Sequence, residues 1–144
     1  MTALPIARVQ LPPAPESVPA ARSCATAALR AWGLAASVLD DVALLLTELT
    51  TNAIRHAQGI VGVEVGFDGD CLVVRVHDGG ITAPRVVHPA SDDEGGRGLW
   101  LVECIADRWG WEASGQHGKV VWFEVATAAR SMLPPPSVPG SAIA

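Results

Sequence analysis

The sequence predicts an α/β fold: a two-layer sandwich with a mixed, mostly antiparallel sheet and its helices on one face. Three observations predict it. Two helical patterns stand together in the first half, Val-rich runs come as pairs joined by turn residues, and one long glycine-rich stretch lies between the two pairs. Composition agrees, because 49% hydrophobic and 17% charged residues over 144 positions suit one self-sufficient core.

The elements follow in order. Residues 8–11 alternate in polarity and predict an edge strand, which Pro12, Pro13 and Pro15 stop. Residues 17–32 predict a helix with Ser17 as its cap, Pro19 tolerated in the first turn and Gly33 as the stop. Residues 38–57 predict a second, stronger helix. Its apolar stripe is Val42, Leu45, Leu46, Leu49, Ala53 and Ala57, and Gly59 ends it. Residues 60–67 and 71–77 predict a hairpin across Asp68, Gly69 and Asp70.

Residues 78–98 read as a loop, long enough inside a compact domain to carry function. A short helix over residues 99–107 follows. A last hairpin pairs residues 108–113 with 119–126 across 114–118. Residues 1–7 are expected to be a flexible N-terminus, 8–126 the domain, and 127–144 a flexible tail broken by Pro134, Pro135, Pro136 and Pro139.

Charge and cysteine usage narrow the function classes. A net charge of −5 gives no general attraction to nucleic acid or to an anionic membrane. Cys24, Cys71 and Cys104 are odd in number and far apart, which supports neither a zinc site nor a disulfide framework. Residues 1–8 lack a basic segment followed by an apolar run, and no apolar stretch is long enough to span a bilayer. The expectation is a cytoplasmic protein.

Three clusters can carry chemistry. Glu48, Asn52 and His56 recur at every fourth residue of the second helix, along one side of it and at the edge of the apolar arc. They border a cleft or form a polar flank facing solvent. Asp78 ends a Val-rich strand and precedes Gly79 and Gly80, so its carboxylate either meets a ligand or closes a turn. Gly95, Gly96, Arg97, Gly98 and Leu99 lead into a helix, whose free N–H groups suit a phosphate, with Arg97 as a fixed charge. Neither a Walker loop nor a dinucleotide-binding fingerprint is present.

Taken together and in this order, the three clusters resemble the N, G1 and G2 boxes of the GHKL ATPases. The run Glu48-Leu49-Thr50-Thr51-Asn52-Ala53-Ile54-Arg55-His56-Ala57 is similar to the branch of anti-sigma-factor serine kinases. Gly95-Gly96-Arg97-Gly98-Leu99, continuing into Ala106-Asp107-Arg108-Trp109-Gly110, is similar to it too. The resemblance covers roughly residues 8–125 and extends to stand-alone ATP-binding proteins of actinobacteria. It implies the Bergerat fold, with ATP and Mg2+ as cofactors.

The resemblance also implies roles. Asn52 would hold Mg2+, Glu48 would be the general base, and Asp78 would accept a hydrogen bond from the adenine amino group. Gly80 would shape the adenine pocket and residues 81–96 would form a lid. Gly96, Arg97, Gly98 and Leu99 would meet the phosphates, with His56 near them. The implied activity is a protein serine/threonine kinase that binds a sigma factor and phosphorylates a small anti-sigma-factor antagonist. An ATP-binding regulator with little or no kinase activity is the alternative, and a homodimer is left open. The chain departs from the pattern at Thr82, where a second glycine is usual. It departs again at Lys119, Val120 and Val121, in a stretch that often carries a Thr.

Overall fold

The computed structural model describes residues 6–56, 59–80, 97–114 and 118–127, with backbone alone for His56 and Arg97. The segment expected to form a lid, residues 81–96 with Thr82 and Gly96, and the two terminal segments 1–5 and 128–144 lie outside the described residues. In chain order the elements are β1 (Ile6–Leu11), α1 (Ser17–Ala31), α2 (Ala36–His56), β2 (Val61–Phe67), β3 (Cys71–Asp78), α3 (Arg97–Ile105), β4 (Arg108–Ala113) and β5 (Lys119–Ala126). The strands form one sheet in the order β1-β2-β3-β5-β4. All four pairings are antiparallel, so the expected admixture of parallel pairing is absent among the described strands.

Strand alternation divides the sheet into two faces. Val61, Val63 and Val65 of β2 turn inward, as do Leu72, Val74 and Val76 of β3 and Val121, Phe123 and Val125 of β5. They meet Val42, Leu45, Leu46, Leu49 and Ala53 of α2 in one core. The stripe read from the sequence is therefore the buried face, except that Ala57 lies outside the described residues. Ala21, Ala25 and Leu29 close the core from α1, and Leu99 and Val102 from α3. Each fully buried Leu, Val or Phe side chain contributes roughly 1.5–3 kcal/mol of transfer free energy, so this one cluster is the main source of stability.

Two local expectations are corrected. Ser17 does not cap α1. It is the first helical residue, and its hydroxyl donates to the Pro12 carbonyl at 2.5 Å, tying the helix start to the end of β1. The other end closes as expected, with Gly33 N–H bonded to Arg30 C=O and Leu34 N–H to Leu29 C=O. Helix α3 starts and stops two residues earlier than the sequence predicts. It ends because Asp107 N–H leaves the helix for the Glu124 carbonyl of β5.

The large aromatic side chains divide between core and surface. Trp109 packs on the core and Trp32 stacks on Phe67 with centroids 6.2 Å apart, but Trp111 is 41% exposed on the edge strand. Cys104 is likewise exposed. No helix among the described residues is long and apolar enough to cross a membrane.

Candidate functional site

Topology gathers the chemistry at one end of the sheet. Asp78 is the last residue of β3, and Lys119, the first residue of β5, pairs with it directly. Residues 57–60 separate α2 from β2, which starts beside the end of β3. The C-terminal half of α2, with Glu48 and Asn52, thus approaches the same end. Helix α3 follows β3 in the chain and brings its first turn against α2.

The contact between α3 and α2 is close. A Cβ built on Gly98 would stand 2.9 Å from the Glu48 Cβ, 3.2 Å from its Oε2 and 3.6 Å from the Asn52 Nδ2. Only glycine lets the backbone come this near. Helix α3 therefore starts on top of the carboxylate and amide that the helical spacing singled out. Both side chains are half-buried, at the border between core and solvent. The edge-of-arc position read from the sequence is thus covered in part by the first turn of α3.

Asp78 is buried at 9% exposure and carries two bonds on one carboxylate oxygen. Its Oδ1 accepts the Gly80 N–H at 2.7 Å and the Lys119 ammonium at 3.1 Å. The first bond folds the chain after β3 into a tight turn and sets where Gly80 lies. The second is an ion pair whose side chains are 8% and 3% exposed. A buried lysine is rare unless paired, and this one stands on the core-facing phase that Val121, Phe123 and Val125 continue.

Gly118 fixes that pairing. Its φ is +111°, and a Cβ there would fall 2.5 Å from the Asp78 carbonyl oxygen. The start of β5 is pressed onto the end of β3 at the one point where a side chain cannot fit. Sequence reasoning noted Lys119 only as a departure in the last strand and did not reach its contact with Asp78. The available signal was a lysine in phase with three core residues.

The remaining candidates divide. Leu99 turns its side chain into the core at 1% exposure, leaving its backbone as the group it can offer. His56 ends α2 and Arg97 begins α3, and their side chains lie outside the described residues, as does Gly96. A depression of about 280 Å³ on the helix-free face is a different place. It is lined by Val73, Arg75, Arg108, Glu112, Trp122 and Glu124. Its charges largely pair among neighbours, Arg75 with Glu64 at 3.1 Å and Arg108 with Glu124 at 3.7 Å.

The donor set suits a magnesium ion shared with phosphates. Glu48 has a carboxylate oxygen beside Gly98, and Asn52, whose Nδ2 is its nearest atom there, carries an amide oxygen of the hard type that magnesium takes. Among the described residues no cluster of three His, Cys, Asp or Glu side chains could hold a metal by itself. Mg2+ is commonly held by one or two protein oxygens plus substrate phosphates, which is what this arrangement offers.

Comparison with known proteins agrees with this geometry. The family model of the histidine kinase-like ATPase domain matches residues 11–125, and the chain belongs to that family. No match among curated proteins reaches significance.

Proposed function

We propose that this histidine kinase-like ATPase domain binds Mg-ATP at the end of the sheet and transfers the γ-phosphoryl group to a serine or threonine of a small antagonist protein. The observation that supports the reading most is the seat of Gly98 on Glu48 and Asn52. It joins a phosphate-binding helix start to a carboxylate and an amide.

In this reading Asp78 accepts from the adenine amino group and Gly80 shapes the pocket around the base. Gly96, Arg97, Gly98 and the Leu99 backbone face the phosphates at the start of α3, and His56 lies near them. Asn52 is the Mg2+ ligand, and the ion when bound neutralises phosphate charge. Glu48 takes the proton of the acceptor hydroxyl. That oxygen bonds to the γ-phosphorus, the bond from the γ-phosphorus to the bridging oxygen breaks, and ADP leaves. By family resemblance, the same protein holds a sigma factor inactive and acts as an anti-sigma-factor-type regulator in the cytoplasm.

The test is phosphate transfer from labelled ATP to the products of neighbouring genes, followed by identification of the modified residue. Label on a serine or threonine of one such protein supports the kinase reading. ATP binding with no transfer to any of them replaces it with the regulator that acts by nucleotide-dependent binding alone.

A further inference from the structure

We propose that Lys119 is a second base-reading residue, donating a hydrogen bond to the purine ring nitrogen N1 beside the amino group that Asp78 accepts from. The inference rests on the proposed ATP site and adds a residue to it.

Lys119 and Asp78 are register partners at the end of β5 and β3, and both side chains stand on the helix-covered face. Gly118 locks that register, because its backbone is pressed against the Asp78 carbonyl and cannot carry a side chain there. The hairpin behind it is closed by Ser114 N–H on the Gly118 carbonyl at 3.0 Å. The ammonium is thus held beside the carboxylate and not free to swing into solvent.

Among the described residues both bonds to the Asp78 carboxylate fall on Oδ1, from Gly80 N–H and from Lys119. Its Oδ2 is then the oxygen that can accept from a base. An ammonium has three N–H donors, and one of them goes to Asp78. The pair therefore presents an acceptor next to a donor. The Watson–Crick edge of adenine presents the complement, an amino donor next to the N1 acceptor. A carboxylate alone reads the amino group and leaves N1 without a partner.

A purely structural lysine would neutralise Asp78 and never meet the base, and an N1-lacking analogue separates the two roles. Equilibrium binding of Mg-ATP and of its 1-deaza analogue, in which a C–H replaces N1, would be measured on the full chain and on Lys119→Met. The wild type should bind the analogue roughly 10–100-fold more weakly, the range for a hydrogen bond to a charged group. Lys119→Met should bind both nucleotides equally, near the affinity of the analogue for wild type. Equal affinities in the wild type would overturn the proposal without any variant, as would a gap undiminished in Lys119→Met. If Lys119→Met does not fold, Lys119→Gln keeps a neutral N–H donor and should show a reduced gap, while an unchanged one again overturns it. Failure of the wild type to bind ATP at all would sink the proposed site and this inference with it, an outcome distinct from ATP bound without N1 discrimination.

Discussion

The Lys119 ammonium lies 3.1 Å from the Asp78 carboxylate, across directly paired strands, with both side chains buried. Each charge is tolerated inside because the other is there. Removing one leaves an uncompensated buried charge, whereas removing both together leaves none. Lys119→Met should therefore lose about 3–5 kcal/mol of stability, and the double variant Asp78→Leu with Lys119→Met should regain most of it. Urea midpoints measured on the three proteins check this. Additive losses in the double variant would show that the two side chains do not depend on each other.

Gly98 should be intolerant of a single methyl group. A Cβ there meets the Glu48 Cβ at 2.9 Å, so α3 must back away from α2. Overpacking of this kind costs roughly 1–3 kcal/mol. The displaced helix start should also weaken nucleotide binding. Thermal unfolding and an ATP titration of Gly98→Ala read the two effects. A variant with wild-type stability and affinity would show that the close approach is not needed.

Glu64 should shape the acid limb of stability. Burial alone would push its carboxyl up, but the hydrogen bond and charge of Arg8, joined by Arg75, outweigh it and hold Glu64 below its ordinary value of 4.5. A group depressed on folding contributes stability above its unfolded pKa, and the contribution disappears as pH falls through the folded one. Glu64→Gln should thus melt below wild type near neutrality, and the difference should shrink from about pH 5 downward. Because Arg8 and Arg75 are 70% and 44% exposed, added salt should shrink it too. Melting temperatures across pH and salt test both. A difference that widens in acid would contradict the sign.

The parts of the fold legible in the sequence are those specified locally. Val42, Leu45, Leu46 and Leu49 recur at helical spacing and do form the buried face of α2. The first hairpin is legible because Asp68 accepts the N–H groups of Asp70 and Cys71 at 2.9 and 2.7 Å, a turn built by its own residues. The start of α3 was misplaced because Gly98 reads as a helix breaker. Its packing on Glu48 outweighs that propensity, which is only about 1 kcal/mol. The edge-of-arc position of Asn52 was visible, but what it borders was not. The Lys119–Asp78 pair was out of reach because its members are 41 residues apart, and only strand register brings them together.

Glu48→Gln separates a proton acceptor from a structural brace. The amide keeps the shape and the hydrogen-bonding capacity but cannot take a proton. Nucleotide affinity should stay near wild type, and phosphate transfer should slow by about 10²–10⁴-fold. Parallel titration and single-turnover transfer measure the two. A loss of affinity or stability that accounts for the whole loss of transfer would assign Glu48 to bracing.

Calorimetric titration of wild type and Asn52→Ala shows whether the helix side chain beneath Gly98 holds Mg-ATP. The wild type should bind ATP with Mg2+ present and much more weakly with the metal chelated. Asn52→Ala, folded by circular dichroism, should lose the magnesium-dependent part of that affinity. Equal Mg-ATP affinity in the two proteins would mean that the amide Gly98 packs against takes no part in holding the nucleotide.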